Sequence, residues 1–254
     1  MPMRESRDAG GRTPLHLSML GKPINVDVVM VLLENGADVN ARDAEGRTPL
    51  ILAEEYRSYE QVVSGLGLPT AFYRDYGVDV NAFADDGSTA LIMAMKRFLE
   101  DDPDEDDPDE DDDDSYREED ERERERERVA YGRVERLLEQ GADPSISGPQ
   151  RICLHVAAAL CSLDVVQLLV ENGADVDATD DLWRTPLMVA LLFDNREVAR
   201  WLISCGADKE KKAGQGVTMA EYASGLSKMP DLIDWLRNRH LYQRQSFLDS
   251  WGPG

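Results

Sequence analysis

Histidine and cysteine side chains, which supply most catalytic bases, nucleophiles and metal ligands, are few and widely spaced in this chain. The histidines stand at 16, 155 and 240, and the cysteines at 153, 161 and 205. The sequence contains no GxSxG nucleophile motif, no HExxH zinc motif and no glycine-rich phosphate loop. The odd number of cysteines, without paired metal-ligand spacing, argues against a disulfide framework or a zinc site. We therefore expect no enzymatic activity, no cofactor and no metal.

The cysteines and the N-terminal residues indicate the cellular compartment of the protein. Single cysteines at these spacings are typical of small buried hydrophobic residues and of a reducing environment. The first residues, MPMRESRDAGG, lack the apolar core of a signal peptide, and no run approaches the roughly 18 apolar residues of a membrane span. These features predict a cytoplasmic or nuclear protein, or one present in both, with no membrane contact.

Acidic residues dominate one segment of the chain. Residues 100–128 contain 20 acidic and 5 basic residues, which gives −15 of the total net charge of −23. The segment lacks the glycine and the closing glutamate of a calcium-binding loop. Two interpretations stay open: it attracts a basic partner through its charge, or it is a solvated spacer that confers solubility. The carboxylates that would act electrostatically are Asp104, Glu105, Asp106, Asp107, Asp111, Asp112, Asp113 and Asp114.

A recurring pattern organises the rest of the sequence. Gly-Ala-Asp begins at Gly173 and again at Gly206, 33 residues later, and Thr185-Pro186 between them opens an apolar run of helical spacing. Threonine before a helix predicts an N-cap, and proline fits the first helical position because that amide has no partner within the helix. The aligned positions are Thr13, Thr48, Thr89, Ile152, Thr185 and Thr218, and the predicted left-handed helix ends are Gly36, Gly77, Gly141, Gly173 and Gly206.

The six units resemble ankyrin repeats, whose 33-residue period and TPLHxA sequence are seen here most clearly in TPLH at 13–16 and ICLH at 152–155. The resemblance implies an all-α solenoid of helix–turn–helix units with short β-hairpin-like fingers, in which each unit buries its apolar face against its neighbours. It also implies that His16 and His155 form structural hydrogen bonds between units. The expected organisation is a tail over 1–7, a repeat domain over 8–239 with units starting near 8, 43, 84, 147, 180 and 213, and a tail over 240–254.

The first three units are longer than 33 residues, by 2, 8 and 30 residues. In each the extra length falls between the two helices, which the resemblance places on one edge of the array, opposite the fingers. The third insertion is the acidic segment at 100–128. Its composition predicts disorder over about 101–116, because so few apolar residues cannot offset the entropy of ordering. From Glu118 onward, opposite charges three residues apart favour an extension of the following helix through Val134, Leu137 and Leu138.

The resemblance places ligands against the fingers and the exposed side of the first helices, which form a concave face. Arginine precedes the helix-opening position at Arg12, Arg47, Arg151 and Arg184. Two interpretations stay open: these cations form a basic stripe for a ligand, or each pairs with a nearby aspartate.

Trp183 departs from the pattern, because four of the other fingers have glycine at its position, at Gly11, Gly46, Gly87 and Gly216. Glycine suits a turn with positive φ, so a tryptophan there is unfavourable unless the backbone changes, and such departures are commonly functional. We expect a binding patch of Leu182, Trp183, Leu192 and Phe193, although packing on an adjacent finger is the alternative. The same face is predicted to continue over Tyr56, Lys96, Arg97 and Leu160.

Taken together, these features predict a non-catalytic, monomeric protein-interaction module that binds another protein through its concave face and does not bind nucleic acid directly. One hypothesis is a chaperone or escort of a basic protein, such as a ribosomal protein or a histone, aided by the acidic insertion. The alternative is an adaptor or scaffold that recruits a larger assembly, for example a ubiquitin ligase or a signalling complex, with the insertion only a spacer.

Overall fold

The structure is a computed structural model that describes residues 6–21, 24–56, 75–96, 115–146 and 153–216. The regular secondary structure in these ranges is helical. They contain no β-strand, and the β-type pairing found there is an isolated bridge between Phe83 and Thr89. In chain order the described helices are α1 (Pro14–Met19), α2 (Val26–Glu34), α3 (Pro49–Tyr56), α4 (Ala90–Lys96), α5 (Ser115–Glu139), α6 (Cys153–Leu160), α7 (Leu163–Glu171), α8 (Pro186–Leu192) and α9 (Arg196–Ser204), followed by a 3-10 turn (Gly214–Gly216). The predicted all-α class is confirmed.

The predicted helix starts are confirmed wherever the structure describes them. The hydroxyl of Thr13 accepts a hydrogen bond from the His16 amide at 3.4 Å, and that of Thr185 accepts one from the Met188 amide at 3.3 Å. Thr48 and Thr89 make the same contact with the amide three residues later. Each hydroxyl satisfies one of the helix amides that has no intrahelical partner. The sixth repeat's Thr218 lies outside the described residues.

The predicted helix ends are also confirmed. All five glycines that follow a second helix have φ between 66° and 100°. At Gly36 the left-handed residue lets the next amide, that of Ala37, donate to the carbonyl of Leu32 at 3.0 Å. This closes the helix end and turns the chain toward the next repeat.

The chain divides into two compact units, residues 1–153 and 154–254. In the N-terminal unit the fully buried side chains include Leu15, Ile51, Leu52, Leu91 and Ile92, all from the first helices of repeats 1 to 3. In the C-terminal unit they include Leu154, Leu169, Leu187, Val198 and Leu202. Apolar burial between stacked helices is therefore the main stabilising contribution within each unit.

Helix α5 begins earlier than the sequence predicted. Ser115 and Tyr116 are helical, so the prediction of disorder over 101–116 is wrong for these two residues, and the helix starts before Glu118. Arg128 donates to Glu125 at 2.7 Å, which is the expected attraction between residues three apart. Val134 and Leu137 are buried, which confirms the predicted continuation into the core. Residues 101–114, which include all eight predicted electrostatic carboxylates, lie outside the described residues.

A buried ion pair that was not predicted from the sequence links α5 to α3. Arg133 donates through Nε and a terminal nitrogen to Glu54 Oε2, at 2.9 and 2.7 Å, and the same terminal nitrogen also contacts the Glu54 carbonyl at 2.7 Å. Their side chains are only 6% and 3% exposed. Glu54 lies on the first helix of repeat 2 and Arg133 on the second helix of repeat 3, so the pair fixes the stacking of these two repeats.

Candidate functional site

The turn before each first helix is here called the finger, and an aspartate at the first position builds the first, second and fifth fingers. In the second finger (43–47), Asp43 Oδ1 accepts hydrogen bonds from the amides of Glu45 and Arg47, both at 2.9 Å, and the Asp43 amide donates to the Arg47 carbonyl at 3.0 Å. Asp8 and Asp180 make equivalent amide contacts in the first (8–12) and fifth (180–184) fingers. The aspartate therefore determines the shape of the finger.

Arg47 is a structural residue and does not belong to an exposed basic stripe. Its guanidinium contacts Asp43 at 2.9 Å, Glu45 at 2.8 Å and Glu55 at 3.1 Å, with the arginine side chain only 10% exposed. Burial alone would raise the pKa of Asp43, but hydrogen bonds from the Arg47 backbone and side chain hold that pKa below its usual value. Burial raises the pKa of Glu55 despite the opposing charge of Arg47.

The other described finger arginines also pair with the aspartate four residues earlier. Arg12 lies 3.4 Å from Asp8, and Arg184 lies 2.6 Å from Asp180. The pairing alternative is therefore confirmed for Arg12, Arg47 and Arg184, and the basic-stripe prediction is wrong for Arg47 because its guanidinium is buried. Arg151 lies outside the described residues.

Carboxylates face outward on the fingers of the N-terminal unit. The side chains of Glu45 and Asp85 are 69% and 70% exposed, and that of Asp86 is 50% exposed. Each of them also lies within 4.0 Å of a cation, Glu45 of Arg47, Asp85 of Arg42 and Asp86 of Lys96, so these fingers offer exposed carboxylates that are partly neutralised. Glu45, Asp85 and Asp86 were not among the residues predicted from the sequence for the binding face.

Consecutive fingers within each unit are joined by one backbone hydrogen bond. The Ala44 amide donates to the Gly10 carbonyl at 2.9 Å, and the Asp85 amide to the Glu45 carbonyl at 3.0 Å. In the C-terminal unit the Gly214 amide donates to the Leu182 carbonyl at 3.0 Å. Because these bonds bring the finger backbones close together, they limit which residues fit at the tip.

Glycine at the finger tip is required in the first finger for two reasons. Gly11 has φ of 71°, and a Cβ there would lie 2.9 Å from the amide nitrogen of Ala44 in the next finger. The positive φ disfavours any L-residue at this position. The short distance would bring a Cβ against a backbone atom, which cannot move aside as a side chain can.

Trp183 keeps the left-handed conformation that glycine has at Gly11, Gly46, Gly87 and Gly216. Its φ is 59°, so the backbone has not changed to accommodate the tryptophan. A bulky residue in this region costs roughly 1–2 kcal/mol. Gly214 of the following finger lies beside it: a Cβ there would be tight against the Leu182 carbonyl, at 3.1 Å, but only in ordinary contact with Trp183 Cδ1, at 3.9 Å. The aligned positions in the earlier fingers are Ala44 and Asp85, a difference that could have been read from the sequence.

The predicted apolar patch is exposed but is not one compact cluster. Leu182, Trp183 and Phe193 are 60%, 64% and 53% exposed, and Leu192 is half-buried. Trp183 precedes α8 and Phe193 follows it, so they lie at opposite ends of a helix about 10 Å long. Their exposure argues against the alternative of packing on an adjacent finger, although the edge of Trp183 does lie beside Gly214.

A second left-handed residue, Asp194, follows Phe193. Its φ is 60°, and in the described part of the chain Trp183 and Asp194 are the two non-glycine residues in this region. Backbone strain is therefore concentrated at both ends of α8. Strain of this kind persists where the surrounding structure enforces it and is common at ligand contacts.

The remaining predicted contact residues differ in exposure. Tyr56, at the end of α3, is 44% exposed. Lys96, half-buried at the end of α4, donates to the Ser88 hydroxyl at 3.2 Å and lies 4.0 Å from Asp86. Leu160 is half-buried at the end of α6, and Arg97 lies outside the described residues. That these residues form one continuous face with Trp183 stays a prediction.

The predicted structural role of two histidines is confirmed. His16 Nε2 contacts the Arg47 carbonyl at 3.0 Å, and His155 Nε2 contacts the Arg184 carbonyl at 2.7 Å, so each histidine links its helix to the next finger. A carbonyl only accepts, so Nε2 carries the proton and Nδ1 is an acceptor. In the first repeat the Thr13 amide donates to His16 Nδ1 at 3.2 Å. The buried His155 Nδ1 has no partner among the described residues, and the sequence has Ile152 in place of Thr13.

His155 gives the fold a defined dependence on pH. Burial lowers its pKa below the model-peptide value of 6.5. Since the unfolded chain then binds a proton that the folded chain does not, stability is highest above pH 6.5 and falls as the pH drops below it, by at most about 1.4 kcal/mol per pH unit. Urea unfolding between pH 7.5 and 5.5 should show this loss, and His155→Gln should reduce it. An equal slope in both proteins would contradict the assignment.

The described residues offer no arrangement for covalent or metal chemistry. Burial raises the pKa of the Cys153 thiol to about 12, which keeps it protonated at neutral pH. No group of three histidine, cysteine or acidic side chains within the described ranges is placed to hold a metal ion. Over the same ranges, no helix is both long and apolar enough to cross a membrane.

Known protein families resemble two segments of this chain, and individual proteins resemble most of its length. Two family models of ankyrin repeats match residues 3–67 and 154–203. Neurogenic locus notch homolog protein 1 of Danio rerio is 28% identical over 188 residues, covering 74% of this chain, and the Homo sapiens protein is 27% identical over 189 residues. The chain spans only 6% of the length of these relatives. Human protein phosphatase 1 regulatory subunit 27 is 40% identical over 63 residues, which cover 25% of this chain and 41% of that protein.

Among solved structures, the ankyrin repeat domain of Bcl-3, described as a unique member of the IkappaB protein family, matches with a TM-score of 0.59 and 27% identity. The match covers 92% of this chain and 86% of that one. Together with the helices, caps and fingers described above, these findings identify the chain as an ankyrin-repeat protein. Ankyrin repeats indicate a module that binds another protein, and this fold is typically non-catalytic.

Proposed function

We propose that the chain is a non-catalytic module that binds a partner protein through the finger and first helix of its fifth repeat. The observation that carries this proposal is Trp183, which is 64% exposed in a backbone conformation that disfavours it. Exposed aromatic side chains on a rigid support are common centres of binding energy. A structural role alone would favour glycine at this position, as in the first three fingers.

The charge of the chain points to a basic partner. Its net charge is −23, the finger arginines are held by aspartates, and Glu45 and Asp85 face outward. Negative potential of this kind speeds the approach of a positively charged protein and suppresses binding of nucleic acid. The proposed function is therefore that of a chaperone or escort of a basic protein, with a ribosomal protein or a histone as examples, in the cytoplasm or nucleus.

An adaptor role is the second candidate, and a different surface favours it. Leu17 on α1 and Val28 and Val31 on α2 are 45%, 45% and 56% exposed at the first repeat. The residue that aligns with Leu17 in repeat 2, Leu52, is fully buried. Exposed apolar side chains grouped on one repeat in this way suit a second protein contact. The name of one relative, a phosphatase regulatory subunit, is compatible with such a role.

Affinity capture from a cell extract tests the proposal when three variants are compared with the wild-type chain. Trp183→Gly with Phe193→Ser should reduce capture of the partner at least tenfold, whereas Phe83→Ser, which changes an exposed aromatic residue of the N-terminal unit, should not. Deleting residues 101–114 should weaken capture and flatten its dependence on salt if the insertion attracts the partner.

The outcomes separate the two candidates. Unchanged capture by the Trp183/Phe193 variant would contradict the proposed site. An unchanged salt dependence after the deletion would make the insertion a spacer and favour the adaptor role. Simultaneous loss of capture in the Phe83→Ser control would indicate damage to the fold instead of a lost contact.

A further inference from the structure

The tip of the fifth finger, formed by Asp181, Leu182 and Trp183, is held rigidly from both sides. The amides of Leu182 and Arg184 donate to Asp180 Oδ1 at 3.0 and 2.8 Å, and the Trp183 amide donates to the Asp180 carbonyl at 2.8 Å. From the following finger, the Gly214 amide donates to the Leu182 carbonyl at 3.0 Å. A ligand that binds the tip therefore meets a backbone that is already ordered, which lowers the entropic cost of binding.

The charges at this tip leave one carboxylate available. Asp180 is 8% exposed and is engaged by Arg184 at 2.6 Å. Asp181 is exposed and makes no hydrogen bond or ion pair with any residue in the part of the chain that the structure describes. Two residues further on, the indole of Trp183 is 64% exposed. The tip thus presents a negative charge and a large aromatic surface close together in the chain.

We propose that this tip binds an arginine side chain of the partner protein, with the guanidinium stacked on the indole of Trp183 and hydrogen-bonded to the carboxylate of Asp181. The inference rests on the proposed function and names the group bound at its site. A tryptophan ring attracts cations most strongly among the aromatic side chains. Arginine fits better than lysine because its planar, weakly hydrated guanidinium can stack and donate two hydrogen bonds at once.

This binding mode accounts for the strained position of Trp183. The first three fingers place glycine at the tip, as at Gly46 and Gly87, which removes the strain but offers no side chain to a ligand. At the left-handed tip of the fifth finger the indole is 64% exposed. An aromatic residue placed on the regular part of α8 would instead be buried, as Leu187 and Met188 are.

Titration of the full chain with the peptide GRRLRRG by isothermal calorimetry, which gives the Kd of every variant, tests the proposal. In the wild-type chain the indole N–H signal of Trp183, assigned in NMR spectra with Trp183→Phe, should shift on binding. The peptide with lysine in place of arginine should bind more weakly. The peptide with citrulline, which has nearly the same shape without the charge, should bind weakest. Asp181→Asn and Trp183→Leu should each raise the Kd about 3- to 10-fold, while Trp183→Phe should raise it less.

Asp85→Asn is the control, because it removes another exposed finger carboxylate, at the aligned position of the N-terminal unit, which lies 3.6 Å from Arg42. It should leave the Kd for the peptide unchanged. Equal affinity for the arginine and citrulline peptides, or equal effects of Asp181→Asn and Asp85→Asn, would overturn the proposal. If the peptide fails to bind while partner capture still depends on Trp183, the arginine assignment fails and the proposed function stands. If neither peptide binding nor partner capture depends on Trp183, both the arginine assignment and the proposed site are wrong.

Discussion

Replacing Arg133 by methionine is expected to lower the free energy of unfolding by about 3–5 kcal/mol, because it leaves the Glu54 carboxylate buried without its partner. Arg133 makes two side-chain contacts with Glu54 and one with its carbonyl, and both side chains are almost inaccessible to water. Equilibrium unfolding in urea, followed by circular dichroism, measures the effect.

A double variant, Arg133→Met with Glu54→Leu, is the control for this expectation. Replacing both members of a buried ion pair by apolar residues of similar volume is often neutral or stabilising, so most of the lost stability should return. If the double variant is as unstable as the single one, packing volume and not charge would explain the effect. A single variant within about 1 kcal/mol of wild type would contradict the buried pair itself.

Replacing Gly11 by alanine should cost about 2–4 kcal/mol, which combines the strain of an L-residue at positive φ with a steric overlap. The new Cβ would lie 2.9 Å from the Ala44 amide nitrogen, whose hydrogen bond to the Gly10 carbonyl joins the first two fingers. Urea unfolding again provides the measurement.

Gly36→Ala separates the two contributions. Gly36 has φ of 84°, but no atom lies within 4 Å of a Cβ built there, so only the backbone strain of roughly 1–2 kcal/mol applies. If Gly11→Ala and Gly36→Ala lower the free energy of unfolding equally, the steric overlap between the first two fingers makes no contribution.

Local features were predictable from the sequence because they depend on residues close together in the chain. Thr13 and Thr185 cap helices, and Gly36 and Gly173 adopt left-handed conformations, since neighbouring backbone groups alone decide these outcomes. The resemblance to ankyrin repeats then supplied the pairing of helices and the hydrogen bond from His16 to the next finger.

The features that could not be predicted depend on contacts between repeats, or on which of several charged side chains pair with one another. The pairing of Arg133 with Glu54 joins residues 79 positions apart and requires two helices to stack. Arg47 has the sequence context of an exposed cation, yet three carboxylates converge on it. Trp183 was recognised as unusual, but the close approach of Gly214 in the next finger to the Leu182 carbonyl depends on contact between the two fingers.

Hydrogen–deuterium exchange of the full chain, alone and bound to the partner isolated by affinity capture, tests the central claim most directly. Binding through the fifth repeat should slow exchange of the amides within residues 181–195, which include the exposed finger tip and the end of α8. The same exchange rates in free and bound chains over these residues, with slowing confined to α1 and α2, would contradict the account and place the partner on the first repeat.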